Sequence, residues 1–207
     1  MTHYPPPTTY PACAFFLDRD GTLNIDTDYV HRIDEWDWCD GAIEAVKWMN
    51  DNGFLVIVVT NQSGVARGRF TMEQVNALHA HAEADLARHG ARIDAWYVAP
   101  WHPKFHEGLD PALLDERKPG TGLFLQAAER FGIDFSRSHM AGDKISDLAP
   151  ALELGMRPWF IRSRHEPDQD PAWLRRHGVP TVDRLLDVLK KPYFSAFPPT
   201  ANRQAFP

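Results

Sequence analysis

Residues 15–24 read FFLDRDGTLN: Phe15, Phe16 and Leu17, then Asp18, Arg19, Asp20, Gly21 and Thr22. With Ala14 before it, this apolar run entering a glycine turn has the pattern of a buried parallel strand that ends at the surface. In open α/β sheets the ligand crevice lies beyond the carboxyl ends of the strands. Asp18 and Asp20 are two residues apart, so extended backbone would project both to one side with Arg19 opposite. Gly21 permits the sharp turn that follows. The stretch therefore predicts two carboxylates at the lip of a cleft, one able to attack and the other to handle protons. An aspartate-rich turn without chemistry has the same local pattern, so the rest of the chain has to decide between them.

Working outward, a second apolar run over 54–60, FLVIVVT, is β-branched and predicts a central strand ending at Thr60, Asn61, Gln62, Ser63 and Gly64. A helix is predicted over 41–52, with Ala42, Val46 and Met49 on one face and Gly53 as its stop. Another starts at Thr71, whose spacing to Gln74 is that of a capping box, and runs to about 88, before Gly90. Further helices are predicted over 120–131, with Pro119 at the first helical position, over 145–154 and over 183–190. Strands are predicted over 96–99, 138–142, 158–162 and 181–182. Residues 100–117 and 163–179 read as irregular connections, and 23–40 as a loop or short hairpin folded over the cleft. Strands alternating with helices predict an α/β fold, a doubly wound parallel sheet with right-handed crossovers. Residues 1–13 read as an extended arm, 14–191 as the domain and 192–207 as a tail. The aromatics of that tail, Tyr193, Phe194, Phe197 and Phe206, point to packing on something, such as a neighbouring subunit.

The length of 207 residues suffices for one α/β domain with a sizeable core. The net charge of −6, from 22 basic and 28 acidic side chains, argues against a broad basic surface for nucleic acid and leaves room for a small basic pocket. Cys13 and Cys39 form no disulfide framework, so a reducing cytoplasm is expected. The first residues, MTHYPPPTTYPA, lack the charged and apolar regions of a signal peptide, and no run is long enough to cross a bilayer. These features predict a cytoplasmic protein without nucleic-acid or membrane partners, a monomer or a weak homo-oligomer.

Four strand ends deliver four polar clusters. Asp18 with Asp20 is the first. Thr60 and Asn61 are the second; a threonine hydroxyl there can donate to a phosphoryl oxygen, or simply close a turn. Arg117 and Lys118 before Pro119 are the third. A lysine before a helix N-terminus opposes the helix dipole, which makes sense if an anion sits between them; a solvated surface lysine is the alternative. The fourth is GDKISD over 142–147. Its two aspartates, Asp143 and Asp147, can bind a metal and orient a neighbour, or can be an ordinary acidic first turn.

In this order, DRDGT, a strand-ending TN, a lone lysine before a helix and GDxxxD, the motifs resemble the haloacid dehalogenase superfamily of phosphohydrolases over residues 14–190. Within it, NIDTDYVH, VVTNQSGVARG, ERKPGTG and GDKISDL resemble the D-glycero-D-manno-heptose 1,7-bisphosphate phosphatases, with the histidinol-phosphate phosphatases as close relatives. The resemblance implies that Asp18 is a nucleophile that becomes an aspartyl phosphate. It implies that Asp20 is the acid and base, its pKa raised by burial and a neighbouring carboxylate. Thr60 and Lys118 would hold the equatorial phosphoryl oxygens. Mg²⁺ would be held by Asp18, the carbonyl of Asp20 and Asp143, with Asp147 orienting Lys118 or a metal-bound water. Substrate contacts would come from Asp26, Thr27, Asp28 and Tyr29, from Asn61, Gln62 and Ser63, and from Arg117 and Lys144, with Arg117 suited to a second phosphate or to sugar oxygens. No large cap domain is inserted.

Many members of this branch carry a zinc loop with the pattern Cys-x-His, then Cys-x-Cys before Arg-Lys-Pro. Here those positions are Ala99, Trp101, Leu114 and Glu116, from which no tetrahedral sulfur–nitrogen site can be built. His102 and His106 are four apart in a loop without a thiolate, and zinc is not expected. Trp96, Trp101, Phe105 and Leu109 suggest that apolar packing orders the loop instead. The leading reading is a Mg²⁺-dependent phosphatase of a small phosphorylated metabolite, first a heptose bisphosphate of cell-surface polysaccharide synthesis. The alternatives are histidinol phosphate or another sugar phosphate, a nucleic-acid 3′-phosphate, or a non-catalytic binding module that kept the fold.

Overall fold

The computed structural model describes residues 12–106 and 108–195. In chain order its main elements are β1 (Ala14–Leu17), α1 (Ala42–Asp51), β2 (Leu55–Asn61), α2 (Ser63–Ala66), α3 (Met72–Arg88) and β3 (Ala95–Ala99). There follow α4 (Pro111–Glu116), α5 (Gly122–Phe131), β4 (His139–Gly142), α6 (Ile145–Glu153), β5 (Arg157–Ile161), α7 (Pro171–Arg176), β6 (Thr181–Val182), α8 (Leu185–Val188) and α9 (Pro192–Ser195). The six strands form one parallel sheet in the order β3-β2-β1-β4-β5-β6. This is the doubly wound α/β sheet that the alternation predicts.

β1 lies at the centre because its residues are apolar on both faces, and all four are buried. Phe15 and Leu17 join the core formed with α1 and α8, including Val46, Met49 and Leu185. Ala14 and Phe16 face the other core, with Phe124 of α5 and Leu148 of α6. The chain leaves β1 toward β2 on one flank and returns as β4 on the other, so the carboxyl end of β1 is the point where the strand order reverses. Ligand crevices of open sheets form at such a point. Register keeps the ends level: Leu17 aligns with Val58 and with Ala141, and the Asp18 amide donates to the Ala141 carbonyl at 2.9 Å.

Several expectations change. The stretch 100–117 is not wholly irregular: α4 occupies Pro111–Glu116, with Asp110 accepting from the Ala112 amide and Pro111 in the first turn. The same Asp-Pro signal starts α7 at Asp170 and Pro171, inside the stretch read as a charged connection. Pro119 does not open a helix. The Lys118–Pro119 peptide is cis, the Gly120 amide closes a turn onto the Arg117 carbonyl at 2.7 Å, and α5 starts only at Gly122. Of the 23–40 connection, a single antiparallel bridge, Asn24 to Trp38, and a short 3-10 turn (Ile33–Glu35) are formed. In the 192–207 segment, Phe194 is buried and stacks among Phe15, Trp48, Trp159 and His139, so the described part of it packs on this chain's own core. Phe197 and Phe206 lie outside the described residues, as do residues 1–11 of the arm.

Two buried histidines take part in this packing. His139 stacks on Phe15 with its Nδ1 3.1 Å from the Trp159 indole nitrogen. His79 of α3 stacks on Trp96 with Nε2 3.4 Å from Arg19 Nη1. Burial first, then the charge of Arg157 for His139 and of Arg19 for His79, pushes each imidazole from 6.5 down to about 3. Below 6.5 the unfolded chain binds protons that the folded chain refuses. Stability should therefore fall as pH drops from 6.5 toward 3, each histidine adding a slope approaching about 1.4 kcal/mol per pH unit. The ring carbon-proton NMR shifts of His79 and His139 should stay at neutral-imidazole values at pH 5; protonated shifts there would refute this account.

Candidate active site

β1 ends at Leu17, and the backbone turns at once, with Gly21 at φ +86°. A Cβ on Gly21 would collide with the Asp143 carboxylate, so glycine here lets the first motif approach the fourth. Asp18 at the end of β1, Lys118 after α4, and Asp143 and Asp147 at the start of α6 thereby meet. Lys118 Nζ lies 2.7 Å from Asp18 Oδ1 and 2.8 Å from Asp147 Oδ1, and all of these groups are buried. Carboxylate oxygens of Asp18, Asp143 and Asp147 lie within 4.8 Å of one another.

Asp18 and Asp147 share the buried Lys118 ammonium, Asp143 has the half-buried Lys144 beside it, and burial of three carboxylates sets the electrostatics. Burial, aided by Asp147 and Asp143, pushes Asp18 from 3.8 up to about 7 against the pull of Lys118. Burial and the Asp147 charge push Asp143 up as well. For Lys118 burial acts downward, but Asp147 and Asp18 outweigh it and the net shift is upward. A cation among these oxygens would favour the ionised carboxylates. Asp143 fits such a role: Oδ2 accepts from the Ser163 hydroxyl at 2.7 Å, while the buried Oδ1 has no hydrogen-bond partner and Lys144 Nζ stands 3.5 Å off. All the donors are hard oxygens, which suits Mg²⁺ or Ca²⁺ rather than zinc. Asp147 is already engaged on both oxygens, by Lys118 Nζ and by the Lys144 amide at 3.0 Å.

Asp20 departs from expectation. Asp18 and Asp20 are not on extended backbone with Arg19 opposite. The strand has already ended, and Arg19 turns back to grip Asp20 through Nε (3.0 Å) and Nη2 (2.8 Å). Asn24 and Gln62 add donors at 3.1 and 2.9 Å. Burial acts upward on Asp20, but the Arg19 charge and these hydrogen bonds prevail, and the pKa is lowered rather than raised. Arg19 itself is fully buried and also donates to the Val30 carbonyl. Gln62 donates to Thr60 Oγ1 at 2.8 Å as well, which leaves the threonine proton free to point into the cleft. Asn61 uses both ends of its amide on the Lys118 backbone, at 2.9 and 3.0 Å.

A cleft of about 270 Å³ opens over this group. Of the residues singled out from the sequence, Asp18, Asp20, Asp26, Asp28, Tyr29, Thr60, Asn61, Gln62, Ser63, Arg117, Lys118, Lys144 and Asp147 line it. Asp143 lies beneath, and Thr27 is exposed and outside the lining. Asp26 is held by His165 Nε2 at 2.7 Å, with Lys144 Nζ at 3.8 Å. The sequence reading missed His165 and Ser146 in the lining, Ser163 on Asp143, and Arg19. Position just beyond β5, where strand ends meet ligands, is the only signal that could have drawn attention to Ser163 and His165.

The 99–117 loop combines polar contacts with the aromatic contacts expected of it, Trp101 meeting His106 and Phe105 meeting His102. The Trp101 indole donates to Glu116 Oε2 at 2.9 Å, joining two of the positions where the resemblance leads one to look for zinc ligands. Gln126 donates to the other Glu116 oxygen. The Trp101 carbonyl accepts from Arg117 Nη1 at 3.4 Å. Phe105 is exposed, and Trp96 stacks on His79 instead.

Comparison with known proteins agrees with this geometry. A family model described as polynucleotide kinase 3 phosphatase matches residues 13–147, and one described as HAD-hydrolase-like matches residues 116–188. The chain is 44% identical to a D-glycero-beta-D-manno-heptose-1,7-bisphosphate 7-phosphatase of Yersinia pestis over 139 residues, 67% of this chain and 74% of that protein. It is 42% identical to the protein of that name from Escherichia coli K12, over 67% of this chain and 73% of that one. The crystal structure of the D,D-heptose 1,7-bisphosphate phosphatase from B. bronchiseptica, complexed with magnesium and phosphate, aligns with a TM-score of 0.77 at 29% identity, over 89% of this chain and 99% of that one.

Removing the ammonium should expose the repulsion it holds down. Lys118→Met should cost about 3 kcal/mol of unfolding free energy in metal-free buffer. Adding Asp147→Asn in the Lys118→Met background should recover part of that loss. Chemical denaturation checks both, and strictly additive losses would argue against shared charge.

Proposed function

The chain belongs to the haloacid dehalogenase-like phosphatases, and we propose that this phosphoric monoester hydrolase removes the 7-phosphate of D-glycero-D-manno-heptose 1,7-bisphosphate. The observation that carries the chemistry is the buried group in which Lys118 Nζ lies 2.7 Å from Asp18 Oδ1, beside Asp143 and Asp147. Support for the substrate is the identity to relatives of that name.

In this reading Asp18 attacks phosphorus in line, the bond from phosphorus to the sugar oxygen breaks, and an aspartyl phosphate forms. Asp20 gives its proton to the departing sugar oxygen. It then takes a proton from the water that attacks the aspartyl phosphate, which releases inorganic phosphate and restores Asp18. The grip of Arg19, Asn24 and Gln62 leaves Asp20 ionised in the free protein, the form needed for the second half of the cycle. The arriving phosphate dianion raises the proton affinity of Asp20 by repulsion, which prepares the first half. Lys118 and the Thr60 hydroxyl hold the phosphoryl oxygens as charge redistributes. Asp147 orients Lys118, Asn61 fixes its backbone, and Gln62 orients Asp20 and Thr60 together. Mg²⁺, held by Asp18, the backbone carbonyl of Asp20 and Asp143, would offset the repulsion between an anionic nucleophile and an anionic phosphate. Asp26, Asp28, Tyr29, Ser63, Arg117 and Lys144 supply the contacts to the rest of the sugar, without Thr27, which lies outside the cleft lining. Within this reading the enzyme works in the cytoplasm, as a monomer or weak homo-oligomer, on a free sugar phosphate and without zinc.

A nucleic-acid 3′-phosphatase is the second reading, favoured by the family model that matches residues 13–147. The net charge of −6 weighs against it. A panel assayed with Mg²⁺ separates them: heptose 1,7-bisphosphate, histidinol phosphate, an oligonucleotide 3′-phosphate and an aryl phosphate. The heptose bisphosphate should have the highest kcat/KM, and Asp18→Asn should remove activity on all four. An oligonucleotide at the head of the ranking would reverse the substrate assignment. Unchanged activity in Asp18→Asn would reject the nucleophile.

A further inference from the structure

Just beyond α2 the chain sets two arginines against Tyr29, a residue of the cleft wall. Arg69 Cζ lies 4.1 Å and Arg67 Cζ 5.8 Å from the Tyr29 ring centroid, and Arg67 Cζ also lies 4.6 Å over the Phe105 ring. Arg67 thus bridges the 23–40 and 99–117 loops. The arrangement is built in. A Cβ on Gly64 would collide with Phe70, so Phe70 lies directly on the α2 backbone and is buried there. Phe70 stacks on His31 at 5.0 Å, and His31 Nδ1 lies 2.7 Å from the Tyr29 carbonyl oxygen. The Arg67 and Arg69 amides donate back to the carbonyls of Ser63 and Gly64.

The charges here are unbalanced. Asp26 and Asp28, the carboxylates of the Tyr29 loop, are taken by Lys144, Arg164 and His165. Arg117 lines the cleft, and its guanidinium donates to the Trp101 carbonyl, not to an acid. Burial and the nearby Arg67 charge push the Arg117 pKa down. Among the described residues no carboxylate is in ion-pair distance of Arg67, Arg69 or Arg117. In a chain of net charge −6, three guanidinium groups without acids gather here, Arg117 in the cleft lining and Arg67 and Arg69 exposed beside its wall residue Tyr29, and their combined field draws an anion to this edge of the cleft. Guanidinium forks match phosphate oxygens bidentately.

We infer that Arg67, steered by Tyr29 and Phe105, acts with Arg117 to bind the second phosphate of a bisphosphate substrate, the one that is not hydrolysed. This inference rests on the bisphosphate reading proposed above. It makes Arg67, which lies in the VVTNQSGVARG stretch but was given no role there, a specificity-determining residue, and it gives Phe105, an exposed aromatic, the task of steering it.

The test is the ratio of kcat/KM for heptose 1,7-bisphosphate to that for heptose 7-phosphate, measured with Mg²⁺ for wild type, Arg67→Ala and Arg67→Lys. The wild-type ratio should be well above one. In Arg67→Ala it should fall at least tenfold, carried by KM for the bisphosphate, and Arg67→Lys should restore part of it. A preference that survives Arg67→Ala, or an equal loss on both substrates, would overturn the assignment of Arg67 alone. A wild-type ratio of one or less would overturn the bisphosphate reading itself.

Discussion

The architecture of the site depends on one buried ammonium. Lys118 Nζ stands between Asp18 and Asp147, with Asp143 close behind, all withdrawn from water. Burial of the three carboxylates outweighs the pull of Lys118 and Lys144, so Asp18 rises toward neutrality while Lys118 is held protonated. The oxygens of Asp18, Asp143 and Asp147 form a group of hard donors that could hold a metal ion. The backbone around it is arranged accordingly. Asn61 clamps the Lys118 peptide on both sides, Gly21 gives way to the Asp143 carboxylate, and Ser163 occupies only one of the Asp143 oxygens.

A second buried network supports the first without sharing its charges. Arg19 neutralises Asp20, donates to the Val30 carbonyl and meets His79 of α3, which burial keeps uncharged. Gln62 then couples Asp20 to Thr60. The two aspartates of DRDGT therefore sit in opposite electrostatic surroundings although only one residue separates them. Asp18 faces other carboxylates and rises; Asp20 faces a guanidinium and two amide donors and falls. Divergent environments of this kind are what give two identical side chains separate tasks.

The loop after β3 is closed without the zinc ligands that the resemblance leads one to expect. Where the resemblance leads one to expect a metal cluster, the Trp101 indole and the Glu116 carboxylate close the loop with one hydrogen bond across fifteen residues, as numbered. The same tryptophan offers its carbonyl to Arg117. Arg67 on Phe105 ties the loop to the segment after α2. Loop order and the placement of guanidinium groups are thus one arrangement, and a change in either would be felt at the mouth of the cleft.

The chain's own sequence determined the parallel α/β sheet, the order of its elements and the residues that would meet at its carboxyl edge. Apolar runs such as 14–17 and 54–60, buried on both faces, can only be interior strands, and their ends must lie together. Asp18, Thr60 and Asp143 were legible for that reason; Lys118, which follows α4 rather than a strand, was legible only from its place before Pro119 and in the order of motifs. The helices α4 and α7 were legible too, in their Asp-Pro starts, but were hidden by short length and charged composition. What only the tertiary structure decided is where each side chain spends its charge. Arg19 folds onto its neighbour, Asn61 turns from the cleft to the lysine backbone, His165 reaches Asp26 across 139 positions, and Phe194 enters the core. Sequence periodicity reports which face of an element a residue occupies. It does not report which of several polar partners a side chain will find once water is excluded, because that depends on distances between segments far apart in the chain.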